Sequence, residues 1–215
     1  HYWGYRNFAC EDASTNIVPW GILIGGEELH NNHHAYGTSA RLSNKWYEFD
    51  IGWLYIKLLS YAGLATIRKV APTVKWRAPK PLCDLDSLQA IITHRYDVMT
   101  RFVRSTKQEY AAELAKLKAS AHLPHGLNLD ALRRWLHMEP TDLAVADKAG
   151  LDQVLDKSER MQTLYRMRQE LAALWGRSTA SREQLLEQLQ AWCKRAETSG
   201  IQSLQDFSIR LRSYA

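Results

Sequence analysis

From Asp84 onward the apolar positions recur with a helical period. Leu88, Ile91, Ile92, Val98, Met99, Phe102 and Val103 keep three- and four-residue spacings, and polar residues fill the rest to about Ala121, which predicts one helix. Residues 129–137 predict a short helix closed off near Pro140. Val154, Leu155, Met161, Leu164, Tyr165, Leu171 and Leu174 mark a long helix. Ser181-Arg182-Glu183-Gln184 has the capping-box pattern and opens another, which runs to about Ser199-Gly200; a final helix covers roughly 204–214. This half reads as a small helical bundle without a catalytic constellation.

Residues 1–83 have a different texture. They hold five of the eight Trp, four of the six Pro, and seven Gly, a composition that suits short helices, irregular turns and aromatic anchors. Trp3, Trp20, Trp46, Trp53 and Trp76, with Tyr47, Tyr55 and Tyr61, have the rings that settle at a lipid headgroup layer. Residues 50–70 predict a strongly apolar helix with Lys57 inside it and a basic end, suited either to a membrane interface or to a soluble core. The Pro-bounded stretch 75–82 predicts a linker.

Charge and cysteine usage narrow the classes. The 215 residues carry 28 basic and 23 acidic groups, a net of +5. Arg68, Lys69, Lys75, Arg77 and Lys80 meet no acid over their span, a patch suited to a phosphate-bearing surface or to a solvated loop. From Asp84 to the end, 19 basic residues face 17 acidic ones, which is no concentrated stripe for a nucleic acid. Cys10, Cys83 and Cys193 form neither a CxxC pair nor a disulfide framework, so a reducing environment is expected. No uninterrupted apolar run reaches membrane-spanning length, and the chain starts at His1 rather than Met, which suggests that an upstream part is missing.

The chemistry concentrates in Glu27-Glu28-Leu29-His30-Asn31-Asn32-His33-His34. On a helix His30, His33 and His34 sit at i, i+3 and i+4, so three imidazoles share one side. Neutral imidazole binds Fe, Zn or Cu, and the cluster predicts part of a metal site; the alternative is a polar surface helix or loop. His1 is the remaining histidine of the first 83 residues and the natural fourth ligand. Glu27 and Glu28 are candidates to accept imidazole N–H groups, or, alternatively, to bind the metal themselves. Asn31 and Asn32 are expected to cap or bond locally, or to sit at the surface. His94, His122, His125 and His137 are scattered singly and read as structural or exposed.

The stretch from Gly25 and Gly26 through His30-Asn31-Asn32-His33-His34 resembles the third histidine box, HxxHH, of the integral-membrane fatty-acid desaturases. His1-Tyr2-Trp3-Gly4-Tyr5-Arg6-Asn7-Phe8 resembles the segment shortly before that box in the Δ9 acyl-CoA and acyl-lipid branch. Asn16-Ile17-Val18-Pro19-Trp20-Gly21, and the run from Leu42 to Trp53, are similar to bacterial members. The resemblance covers about residues 1–72; the helical tail fits a bacterial C-terminal extension only in a general way.

The resemblance implies an all-α protein: residues 1–72 as the C-terminal part of a membrane diiron desaturase, 73–83 as a linker, and 84–215 as a soluble helical extension. It implies His30, His33 and His34 as third-box iron ligands and His1 as an additional one, with a water-mediated Asn and two further boxes lying upstream. The implied activity is oxygen-dependent insertion of a cis double bond into an acyl-CoA or acyl-lipid chain. Membrane lipids and a cytochrome b5-like or ferredoxin-like electron donor are the implied partners, and a bacterial inner membrane with a cytosol-facing site the location. With about half the ligands absent, the 215 residues alone are expected to be inactive. A membrane diiron hydroxylase or a mononuclear metal enzyme would use the same imidazoles. A helical interaction or nucleic-acid-binding protein is the third class; no nucleic-acid partner is expected on the charge balance.

Overall fold

A computed structural model describes residues 3–10, 12–120, 128–136, 138, 143–176 and 180–215. Among these residues the architecture is all-α apart from one short parallel strand pair, and the chain divides into two compact units, His1–Thr73 and Val74–Ala215.

In the first unit, β1 (Trp20–Gly21) pairs in parallel with β2 (Phe49–Asp50), and Tyr5 and Asn16 exchange two backbone hydrogen bonds of 2.8 Å. A 3-10 turn at Glu27–Leu29 leads directly into α1 (His30–Ala35). The entry bends through Gly25 (φ 71°) and Gly26 (φ 105°), a region in which a Cβ is strained. At Gly26 a Cβ would also stand 2.8 Å from Asp50 Oδ1. Asp50 fixes the far side by accepting from the backbone N–H groups of Leu42, Ser43 and Trp53, the last as the N-cap of α2 (Ile51–Tyr61). The helix expected over 50–70 stops early. Gly63 turns left-handed (φ 73°), its N–H bonds Ser60 O, and Leu64 N–H bonds Leu59 O, a Schellman closure that the continuing apolar pattern concealed. No residue of α2 is buried.

The second unit contains α3 (Leu85–Thr93), α4 (Arg95–Ala119), α5 (Leu129–Trp135), α6 (Val145–Leu155), α7 (Glu159–Ala173), α8 (Arg182–Thr198) and α9 (Gln202–Leu211). Its centre is an edge-to-face cluster of Phe102, Trp192 and Phe207, with ring centroids 5.3–6.3 Å apart, where α4, α8 and α9 meet. Trp192 Nε1 donates to Met167 O at 2.8 Å and ties in α7. Two expected helices are each split. The first breaks at His94 (φ −105°, ψ 24°), and the long one breaks at Ser158, whose hydroxyl caps α7 by accepting from Met161 N–H. The Ser181 capping box forms with both reciprocal hydrogen bonds.

The stretch expected to link the two regions is built into the second unit. Arg77 N–H bonds Ser213 O, Lys80 N–H bonds Arg212 O, and Ala215 N–H bonds Lys75 O, so the segment lies antiparallel to the chain end. The Trp76 and Tyr214 rings pack tilted with centroids 4.7 Å apart, and the Arg101 guanidinium lies 4.9 Å from the Trp76 ring centre. Of the five cations between 68 and 80, Arg68 and Lys69 therefore belong to one unit and Lys75, Arg77 and Lys80 to the other; Lys80 is paired with Asp84.

Candidate metal centre

A six-residue helix without a side-chain cap is too short to persist by its own hydrogen bonds. Tertiary contacts hold α1 instead. It buries Asn31, Asn32 and Ala35 and turns His30, His33 and His34 to the other side. The buried face is polar, so every amide must find partners. Asn31 Oδ1 accepts from Asn7 N–H and Phe8 N–H, each at 2.9 Å, while its Nδ2 donates to Phe8 O at 3.1 Å and to Ser14 Oγ at 3.3 Å. Asn32 Oδ1 accepts from Asn7 Nδ2 (2.8 Å) and Asn16 Nδ2 (3.1 Å), and Asn32 Nδ2 donates to Glu48 Oε2 (2.8 Å). Asn16 Oδ1 in turn accepts the backbone N–H groups of Asn31 and Asn32 at the start of the helix.

Glu48 anchors this network. Its Oε1 accepts from Tyr5 Oη and Asn7 Nδ2, and its Oε2 accepts from Asn32 Nδ2 and the backbone N–H groups of Asn44 and Lys45. Burial, reinforced by this carboxylate, pushes the Tyr5 phenol far above its usual range, so it stays a donor. The expectation of a local or surface role for Asn31 and Asn32 is thus replaced by a structural one: they join α1 to residues 7–8, 14–16 and 48.

On the opposite face the ring centroids of His30 and His34 are 4.4 Å apart, those of His30 and His33 6.2 Å, and those of His33 and His34 5.9 Å. His30 Nδ1 lies 3.2 Å from Glu27 Oε2, and His34 Nδ1 lies 2.6 Å from Asp12 Oδ2. A carboxylate that holds Nδ1–H leaves Nε2 as the free lone pair, the tautomer that a metal-binding imidazole needs. Burial raises the Asp12 carboxyl pKa, but hydrogen bonds from Ser14 and His34 outweigh it and leave the group below its usual range. His33 Nδ1 is buried without a hydrogen-bond partner among the described residues, a costly state that a donor or a metal from outside them would relieve. The nitrogen-only donor set suits iron, zinc or copper. Among the described residues no three His, Cys, Asp or Glu side chains converge as a ready metal-holding group.

His1 lies outside the described residues, as do His122, His125 and His137. Glu27 meets His30 as expected. Glu28 does not meet an imidazole: its carboxylate accepts the backbone N–H groups of Leu23, Ile24 and Gly26 and closes the loop before α1. Burial raises the Glu28 pKa, and these N–H bonds pull it back below its usual range. His94 is a buried structural residue at the α3–α4 junction, 4 % exposed. Asp12, Asn7, Asn16 and Glu48 escaped sequence reasoning, since they come from loops 15 to 25 residues away from the residues they hold.

Comparison with known proteins finds two different kinships. A family model described as a transposase matches residues 91–215, more than half of the chain, and through them the chain belongs to that family. Curated relatives of another kind match a shorter stretch. The chain is 45% identical over 71 residues to an sn-1 stearoyl-lipid 9-desaturase of Anabaena variabilis, covering 33% of this chain and 26% of that protein. It is 46% identical over 77 residues to an acyl-CoA C20 Delta5-desaturase of Anemone leveillei, covering 36% and 25%. Against a Delta-9 acyl-lipid desaturase of Arabidopsis thaliana it is 41% identical over 66 residues, covering 31% and 22%. The chain spans about a quarter of the length of these relatives. No solved structure matches it.

Proposed function

We propose that residues 1–73 are the C-terminal part of a fatty-acyl desaturase, joined here to a helical part of a transposase. In the complete desaturase His30, His33 and His34, with His1 as a fourth, would hold part of a diiron centre. The observation that carries this is the set of three imidazoles on α1, two of them oriented through Nδ1 by Asp12 and Glu27. Iron held there would activate dioxygen, with electrons from an external donor, for removal of hydrogen from an unactivated methylene. What these residues do is narrower: Asp12 and Glu27 fix the rings, and the Asn–Glu48 network fixes the helix that carries them.

The acyl chain would arrive as an acyl-CoA or acyl-lipid, and the electrons from a cytochrome b5-like or ferredoxin-like donor. No helix among the described residues is long and apolar enough to cross a membrane. The exposed apolar rings and branches of Trp20, Leu23, Trp46, Tyr55, Leu58 and Tyr61 support a location against lipid or beneath membrane-embedded segments of the whole enzyme. A test is to graft residues 1–73 in place of the matching segment of the Anabaena variabilis desaturase and measure bound iron and alkene product. The graft should make alkene, and His30→Ala, His33→Ala or His34→Ala should abolish it and lower iron. Full activity of the His33→Ala graft would overturn the assignment, and hydroxylated chains in place of alkene would turn it to a hydroxylase. The 215 residues alone should yield no alkene.

The transposase match favours a second reading, nucleic-acid binding by the helical unit, which the near-balanced charge alone had argued against. Gel-shift titration of duplex DNA at low and high salt decides it: a complex that weakens steeply with salt supports the reading, and none at low salt rejects it.

A further inference from the structure

The Sγ atoms of Cys83 and Cys193 lie 3.9 Å apart, both thiols free and buried, at 2 % and 6 % exposure. They are 110 residues apart in the chain. Cys193 sits on α8, whereas Cys83 lies in the irregular stretch that ends at Asp84, the N-cap of α3. This stretch is held by Arg212 Nη1 on Pro81 O (3.0 Å) and Gln190 Nε2 on Cys83 O (2.7 Å), so the two sulfurs face each other by construction. Closing a disulfide requires the sulfurs to approach by about 2 Å more. The helix-free side, next to exposed Leu82, can make that shift without distorting α8.

We propose that Cys83 and Cys193 form a redox-modification site, an intrachain disulfide made by a small hydroperoxide, that staples the 75–83 segment to α8. This site rests on neither the desaturase reading nor the transposase kinship. The two thiols are unequal. The hydrogen bond from Cys193, and then the charges of Arg212 and Lys80, draw the Cys83 pKa below the ordinary thiol value against its burial. The same hydrogen bond and burial keep Cys193 protonated. Cys83, on the non-helical stretch that Arg212 grips at Pro81 O, is assigned as the nucleophile and Cys193, fixed on α8, as the resolving thiol. The Cys83 thiolate attacks one oxygen of hydrogen peroxide, the O–O bond breaks, and Cys83 sulfenic acid and hydroxide form. Cys193 sulfur then displaces the hydroxyl from Cys83 sulfur; its proton leaves with that hydroxyl as water. Two thiol sulfurs are oxidised and one peroxide is reduced. Peroxide is close to water in size, so a brief local displacement of the non-helical stretch at Leu82 would suffice to admit it.

The experiment treats the whole native chain with hydrogen peroxide, blocks remaining thiols with a maleimide, and maps peptides without reduction. The expected result is a Cys83–Cys193 cross-linked peptide about 2 Da lighter than its two parts together, reversed by dithiothreitol, with Cys10 outside the bridge. The thermal midpoint of the helical unit should rise, because the bridge constrains a long loop in the unfolded chain. Cys83→Ser and Cys193→Ser should each lose the cross-link and the rise. Two free thiols after treatment that oxidises the urea-unfolded chain would overturn the proposal, as would Cys83 found as sulfinic or sulfonic acid without a cross-link. Because the peptide map is made on the unsubstituted chain, a variant that fails to fold leaves the test intact.

Discussion

Glu48 shows how much one side chain decides in the histidine-bearing unit. Both its oxygens act only as acceptors, and five donors from Tyr5, Asn7, Asn32, Asn44 and Lys45 converge on them. A neutral amide of the same shape reverses one end of that pattern. In Glu48→Gln the new NH2 group faces donors, and at least one buried N–H loses its acceptor, costing about 1–3 kcal/mol. The loss should appear as a lower thermal midpoint of this unit with the helical unit unchanged. It should also disorder α1, read as line broadening of the His30, His33 and His34 imidazole NMR signals. An unchanged midpoint would mean that the network is not what holds the helix. The three histidines were legible in the sequence because their relation is local, at i, i+3 and i+4. The residues that hold and orient them were not, since Asp12, Asn7, Asn16 and Glu48 reach them from loops whose paths no periodicity encodes.

At the scale of elements, agreement or conflict between local signals decides what could be read. At Ser181 the capping residue and the change in apolar spacing coincide, and the helix starts there. At Ser158 the capping residue was present, but apolar spacing carries across from Val154 and Leu155 to Met161 and Leu164, so a break looked like continuity. The junction of α3 and α4 lacks any breaker; it bends at His94, whose imidazole is buried in the turn. That burial gives it a pH signature. Desolvation lowers the His94 pKa, and the nearby Asp97 only partly offsets it. A folded pKa below the unfolded value near 6.5 means that the unfolded chain binds the proton more readily. Stability is therefore fully present above about pH 6.5 and falls as the pH drops through and below that value. His94→Gln, which keeps a polar side chain but cannot titrate, should remove this part of the slope. Thermal midpoints of both proteins between pH 7.5 and 5 would check it: parallel curves would show that His94 does not contribute.

At the scale of the whole molecule, the two units are built on opposed principles. Residues 1–73 place Asn, Ser, Glu and Asp side chains inside and leave large rings such as Trp3, Trp20, Trp46 and Tyr61 outside, so little apolar area is withdrawn from water. Residues 74–215 bury an aromatic centre of Phe102, Trp192 and Phe207 and a lining of Leu from each of the helices α3 to α9. They also tie their own ends together, through the pairing of 75–80 with 212–215 and the bond from Tyr214 Oη to Asp97. A unit that contains its core and closes its own termini has what independent folding requires. Residues 74–215 produced alone should therefore show a helical circular-dichroism spectrum and one cooperative thermal transition, with the midpoint that the helical signal has in the full chain. Shortening the piece to 91–215, the part that the transposase family model covers, should lower that midpoint. The cut removes Trp76 from Tyr214 and Arg101, takes Cys83 from α8, and deletes most of α3, including buried Leu88. Loss of one buried Leu alone costs about 2–5 kcal/mol, so the shift should be well outside measurement error. Equal midpoints for the two pieces would show that the segment before residue 91 adds nothing to the helical fold.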